Sequence, residues 1–227
     1  MINRLHDLAL TIAPELRDRP LYVLDTAQLV ESELPVTPDA FGFAIQTHRM
    51  LAPIAEIIDG YNGGGQVICI DFAAIEAAAN PGFEEHVLNG VLIHEVAHCV
   101  PAKPIGEQTE DQVVRNFEAS MLPAWFSTPQ PEPGAEGDFH GPEFIRYCCH
   151  LYSRAQAAGF AATIDDVLGY DLLSLKFYLP LVVGECLTMR DATFAEIQAE
   201  PMPEGLEEFW RSDIEYQNKM RLCHGSN

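Results

Sequence analysis

Residues 92–100, LIHEVAHCV, set His94 and His98 four positions apart, with Glu95 directly after the first. Whether this stretch is a metal site or a piece of ordinary core decides how the rest of the chain is read. On an α-helix, residues i and i+4 stand one above the other on a single face, so both imidazoles can address one ion. Glu95 is turned by about 100° from His94, which lets it reach a water beside that ion without being a ligand. Zinc held by neutral nitrogens keeps an open position, polarises a carbonyl and acidifies water. A carboxylate in the place of Glu95 can carry the water's proton to a leaving amine. Burying two imidazoles and a carboxyl on an apolar helix with no such task would be costly. The expectation is a Zn2+ site with His94 and His98 as ligands and Glu95 as general base.

The flanking residues predict the helix that carries the motif. In NPGFEEHVLNGVLIHEVAHCVP (80–101), Asn80 can cap, Pro81 suits the first helical position, and Glu84 and Glu85 favour the positive end of the helix dipole. Val87, Leu88, Val91, Leu92 and Val96 form one broad apolar face, and Pro101 ends the element. Upstream, PLYVLDT (20–26) and QVICIDF (66–72) read as strands, being short, apolar and bounded by turn residues. Residues 37–60 are ambiguous, since Thr37 and Pro38 can start a helix that Pro53 must interrupt. YNGGGQ (61–66) is a turn whose glycines lack phosphate-binding spacing. Residues 107–126 read as a helix and 127–138, STPQPEPGAEGD, as an exposed loop. In HGPEFIRYCCHLYSRAQAAG (140–159), Pro142 fits a helix start, Phe144, Cys148, Leu151 and Ala155 recur at helical spacing, and Gly159 suits the exit. LLSLKFYLPLVV (172–183) is a buried strand or helix. From Glu204 to Leu222, Leu206, Phe209, Trp210 and Ile214 share a helical face.

Composition narrows the setting. The 227 residues carry 34 acids against 13 bases, a net charge of −21 that opposes contact with nucleic acid or anionic lipid. The plain reading of this acidity is solubility, and a basic protein partner is the sharper one. Charges interleave with leucines in the first twenty residues, unlike a secretory signal, and no apolar run approaches the ~20 residues of a membrane span. Six cysteines are scattered with no C-x-x-C pair, so no zinc ribbon or redox motif is signalled. These features point to the cytoplasm and to one domain over 1–227, with a motif core at about 66–160 and a helical C-terminal extension at about 185–222.

A catalytic zinc site needs a further protein ligand. The metzincin extension would require glycine at 101 and histidine at 104, and both are proline. A gluzincin would take an acid from a later helix. Glu107 lies only nine residues past His98 across two prolines, while Glu110, Asp111, Glu118 and Glu185 are formal candidates with no local pattern behind them. His140 stands apart, because FHGPEF (139–144) sets it where a loop meets a helix N-terminus.

H-E-x-x-H at 94–98 followed by HGPEF at 140–144 resembles the SprT-like zinc metallopeptidases, in which the second motif reads H-G-x-x-F. The resemblance covers about residues 66–160. It implies a zincin fold, with His94, His98 and His140 as zinc ligands and Glu95 as general base. It also implies that Gly141 permits a tight approach to the second helix and that Phe144 anchors that helix in the core. The chain departs from the family in its long 98–140 interval and in lacking a C-terminal cysteine-rich zinc ribbon. With the acidic charge, this argues against carrying over the family's link to proteins crosslinked to DNA.

Weaker signals are read conservatively. Arg146, His150 and Arg154 make an i, i+4 stripe expected to be a solvated face, the alternative being that His150 donates a hydrogen bond to a metal ligand or to the transition-state oxyanion. Tyr147, Tyr152 and Tyr178 are expected to be buried rather than oxyanion donors. Cys149 and His150 are adjacent on a helix and so badly placed as a nucleophile–base pair. No G-x-S-x-G is present. The expectation is an α/β (α+β) zincin-like domain, its small sheet packed on the motif helix, hydrolysing peptide bonds of a protein or peptide substrate. The alternatives are a metal-binding interaction module without catalysis and a gluzincin-type peptidase with an acidic third ligand.

Overall fold

In the computed structural model, which describes residues 1–32, 41–45, 56–61, 65–100, 141–168, 175–213 and 215, the apolar run at 66–70 is the middle strand of a three-stranded sheet. Strand β1 is Leu21–Asp25, β2 is Gly42–Ile45 and β3 is Gln66–Ile70. The order is β1-β3-β2, with β3 parallel to β1 and antiparallel to β2. Every residue of β3 is buried because both of its faces are covered, which is why it reads as a continuous apolar run instead of alternating. Ile68 and Ile70 face the main core, while Val67 and Cys69 pack with Leu24, Leu29 and Ile58 on the other side. Both predicted strands are present. The ambiguous segment 37–60 contributes an edge strand at 42–45 and not a helix there, while 33–40 and 46–55 lie outside the described residues.

The helices follow in chain order. They are α1 (Ile2–Ile12), α2 (Thr26–Glu31), α3 (Phe72–Ala78), the motif helix α4 (Glu84–Cys99), α5 (Pro142–Ala157), α6 (Ile164–Leu168), α7 (Leu175–Thr188), α8 (Phe194–Ala199) and α9 at 206–213. Among the described residues, no helix is long and apolar enough to cross a membrane. The leucines of the N-terminal segment have their place here: Leu5, Leu8, Ala9 and Ile12 of α1 are buried in the main core. The unassigned run at 172–183 is helical from Leu175, with Pro180 inside α7.

Helix α4 begins three residues later than its sequence suggests. Gly82 takes φ 86°, a left-handed turn, and the Phe83 N–H donates to the Asn80 carbonyl (2.9 Å), so Asn80 closes a turn ahead of the helix. The predicted single apolar face is also too narrow a description. From Leu88 to Cys99 every residue is buried except His94 and His98, which are half-buried. Several of these residues are β-branched and Gly90 sits mid-helix, so intrinsic propensity is modest. Packing on all sides stabilises the helix instead, each buried Leu, Ile or Val contributing about 1.5–3 kcal/mol. The sheet, α1, α3, α5 and α6 all lie against it.

Helix α5 starts at Pro142 and ends before Gly159 (φ 80°), as its sequence indicates. Its stripe of Arg146, His150 and Arg154 is not a solvated face. Arg146 and His150 are buried, because α7 and α9 cover that side through a second core of Ile145, Cys149, Val182, Cys186, Leu206 and Trp210, while Phe194 of α8 lies against His150. Arg154 donates to the carbonyls of Ile12 (2.8 Å), Arg190 (2.9 Å) and Ala192 (2.6 Å) and pairs with both carboxylate oxygens of Glu15 (3.0 and 3.1 Å). It thereby ties the N-terminal helix to the turn before α8. Arg154→Ala is expected to cost on the order of 3 kcal/mol, since it strands the Glu15 carboxylate and three carbonyls. Urea unfolding of the variant checks this.

Candidate metal centre

The partial exposure of His94 and His98 places them side by side on the one gap in a wrapped helix. Their ring centroids are 5.1 Å apart with planes at 72°. Phe144 of α5 covers both: it lies 4.9 Å from the His94 ring and stacks on the His98 ring at 4.3 Å and 26°. Phe144 is buried in the main core, as the resemblance implied, and it is also a wall of the histidine pair. Gly141 is buried at φ −70°, a conformation any residue adopts, so the tight approach expected of it is not a matter of backbone freedom.

His94 is oriented from outside its own helix. Its Nδ1 lies 2.8 Å from the Val167 carbonyl oxygen of α6. A carbonyl only accepts, so Nδ1 carries the proton and the lone pair is on Nε2, the arrangement of a metal-binding histidine whose other nitrogen is held by a backbone acceptor. Burial, partly offset by that bond, holds the His94 pKa below the ordinary histidine value and favours the neutral ring.

Glu95 points toward the sheet. The Asp71 N–H donates to the Phe41 carbonyl (2.9 Å), and this fixes the phase of the antiparallel β2–β3 ladder. Residues 41, 43 and 45 bond to β3, so Gly42 and Ala44 turn their backbone groups outward along the edge of the sheet. The outward Ala44 N–H donates to the Glu95 carboxyl group. Gly42 permits the approach, since a Cβ there would lie 2.7 Å from Val91 Cγ1 and 3.3 Å from Glu95 Cγ. Desolvation pushes the Glu95 carboxyl up to about 8, against the pull of the Ala44 bond.

The donor set suits zinc as far as it is described: two imidazoles one helical turn apart, with a carboxyl on the neighbouring residue. His140 lies outside the described residues, as do Glu110, Asp111, Glu118 and the helix and loop expected over 107–138. Glu185 is exposed on α7. Among the described residues, no His, Cys, Asp or Glu completes a group of three able to hold a metal ion.

The remaining sequence candidates have other tasks. Tyr147 is buried and donates its hydroxyl to Glu143 (2.5 Å) while accepting from Gln198, so its proton is committed. Tyr152 is half-buried, and the Tyr178 side chain lies outside those described. His150 Nε2 donates to the Ala192 carbonyl (3.2 Å) and its ring meets Phe194 at 5.3 Å, a role in holding α8 and not the histidine pair. Burial raises the Cys149 thiol well above its ordinary pKa, which argues against a nucleophile. The five described cysteines are buried and form no disulfide, and Cys223 lies outside the described residues. A cavity of about 230 Å3 opens beside Leu16, Val100, Tyr147 and Phe194, but none of His94, Glu95 and His98 lines it.

Two parts of the site escaped the sequence reading: the outward edge at Gly42 and Ala44, and the Val167 carbonyl. Both act through backbone atoms that residue identity does not reveal. The one available signal was Gly90, an isolated glycine inside a helix, which marks a close approach of another segment. No family model, curated protein or solved structure matches the chain.

Proposed function

We propose that the chain is a zinc-dependent metallopeptidase with a zincin-like arrangement, similar to the SprT-like enzymes, that hydrolyses peptide bonds in a protein or peptide substrate. The observation that carries this reading is the stretch 88–99 of the motif helix, buried throughout except at His94 and His98, with Glu95 next to them in the chain and turned toward a sheet edge. His94 through Nε2 and His98 would hold the ion, with His140 as third ligand on the strength of its motif. When bound, Zn2+ supplies Lewis-acid polarisation of a carbonyl and lowers the pKa of a water.

The chain's own groups account for the remaining steps. The outward edge of β2 offers backbone groups at Gly42 and Ala44 to an extended substrate, so a peptide can add as a further strand next to Glu95. With a cation bound nearby, the ionised form of Glu95 would be favoured over the protonated form that burial favours. As the Ala44 N–H passes to the substrate backbone, that carboxylate becomes available as a base. It takes a proton from water as the water oxygen bonds to the scissile carbonyl carbon. It then delivers that proton to the amide nitrogen as the C–N bond breaks, leaving a carboxylic acid and an amine, and the acid's remaining proton passes to the amine to give carboxylate and ammonium. Phe144 excludes water from one side of the histidine rings.

Metal analysis of the purified protein and its variants tests the assignment. Wild-type protein is expected to carry zinc, and His94→Ala and His98→Ala to lose it. His140→Ala is expected to weaken zinc binding sharply; undiminished zinc in that variant would move the third ligand to an acidic residue. Wild-type protein with no affinity for zinc would end the reading.

A further inference from the structure

We propose that Asn89, Gly90 and Asp166 form a positioning device that seats the segment 161–167 along the motif helix, so that the Val167 carbonyl holds His94 in its Nδ1–H form. The inference deepens the metal-site reading and rests on it for its purpose, but not for its geometry.

Three contacts define the device. At one end, Asn89, buried in α4, donates its Nδ2–H to the Ala161 carbonyl at 2.7 Å. At the other, His94 Nδ1 meets the Val167 carbonyl at 2.8 Å. Between them lies Gly90, on the same face as His94 one turn away. A Cβ on Gly90 would stand 2.4 Å from Asp166 Cβ, 2.8 Å from its carbonyl carbon and 2.9 Å from its carbonyl oxygen. Two of those atoms are backbone, so no rotamer change relieves the overlap and the whole segment would have to retreat. Glycine weakens a helix interior relative to alanine, and this close approach is the reason it is found here.

The segment is stiff enough to transmit the contact. Thr163 donates its N–H (3.1 Å) and its hydroxyl (2.6 Å) to Asp166 Oδ2, and the Asp166 N–H donates back to Thr163 Oγ1 (3.1 Å). With its carboxylate occupied in this reciprocal cap, Asp166 presents Cβ and backbone to Gly90. Val167 is fully buried in the main core. Displacing Asp166 by the width of a methyl group therefore carries the next carbonyl away from His94. Losing that acceptor removes the bond that favours the imidazole proton on Nδ1. A partner that fixes the tautomer and ring orientation of a ligating histidine typically accounts for 10–100-fold in metal affinity.

The test uses imidazole 15N correlation spectra of the full-length, metal-free protein, with zinc affinity measured in parallel by chelator competition. In wild-type protein, the His94 nitrogens are expected to show the Nδ1–H pattern. Gly90→Ala is expected to move His94 toward the Nε2–H form, leave His98 unchanged, and weaken zinc binding about tenfold. Asn89→Ala removes atoms and introduces none, and is expected to give the same change in smaller degree, which covers the case in which Gly90→Ala fails to fold. An Nε2–H pattern for His94 in the wild type, or an unaltered Nδ1–H pattern in the folded variants, overturns the proposal. Absence of zinc binding in the wild type would instead overturn the metal-site reading, while the tautomer data would still judge the device.

Discussion

Glu95→Gln is expected to slow peptide hydrolysis by about 10^2–10^4-fold, the range that a positioned general base contributes, with zinc content unchanged. The amide matches the carboxyl in shape and keeps an oxygen to accept the Ala44 N–H, so the helix–edge contact survives. What it cannot do is take a proton from water. Turnover of an unstructured protein substrate by zinc-loaded wild type and variant is the measurement, with metal content determined on the same samples. Equal turnover in the two, at equal zinc, would remove Glu95 from the mechanism and with it the meaning assigned to residues 94–98.

The second large effect concerns the metal-free protein, whose stability is expected to fall as pH rises from about 6.5 to 8. The Glu95 carboxyl has a folded-state pKa of about 8 against an ordinary value of 4.5, with desolvation as the cause. A raised carboxyl contributes stability below the unfolded pKa and loses it as pH climbs through the folded one, because the unfolded chain releases the proton first. His150 works in the opposite sense. Burial and the neighbouring Arg154 charge lower its pKa from 6.5 to about 4, so its penalty grows as pH falls below 6.5. His94 shifts in the same direction as His150. Above pH 6.5 the contribution of His94 and His150 fades, and among the described residues Glu95 dominates up to pH 8, with the buried thiols adding a small loss of the same sign. At about 1.4 kcal/mol per pH unit for one proton, the loss to pH 8 is roughly 2 kcal/mol. Urea unfolding of chelator-treated protein across this range should show that decline in wild type and a nearly flat profile in Glu95→Gln. A wild-type profile that rises toward pH 8 would mean that the Glu95 carboxyl is already ionised in the fold. Burial makes the negative charge of Glu95 costly in the metal-free fold, and a nearby cation would relieve that cost.

Much of the local structure was legible along the chain. The strands near 20–26 and 66–72 and the helix starting at Pro142 carry their own punctuation, and each lies where that punctuation puts it. The start of the motif helix did not, because Asn80 and Pro81 look like a cap and first turn while Gly82 turns the backbone the other way. The Arg146–His150–Arg154 stripe was misread for a different reason. Charge at helical spacing looks solvated until other helices supply carbonyls and a carboxylate to receive it, and those partners come from residues 12, 15, 190, 192 and 200.

From LIHEVAHCV alone follow the shared face of His94 and His98 and the neighbouring acid, since the pitch of one helix links residues that are already close in the chain. Three things needed the assembled fold: the proton on His94 Nδ1, the discomfort of the Glu95 carboxyl, and the outward edge at Gly42 and Ala44. The first and third depend on backbone atoms brought from elsewhere, and the second on burial of the carboxyl by other elements. Val167 lies 73 residues beyond His94, and the phase of β2 depends on its pairing with β3. A carbonyl or an amide is the same at every position, so only its placement against the motif helix gives it a function.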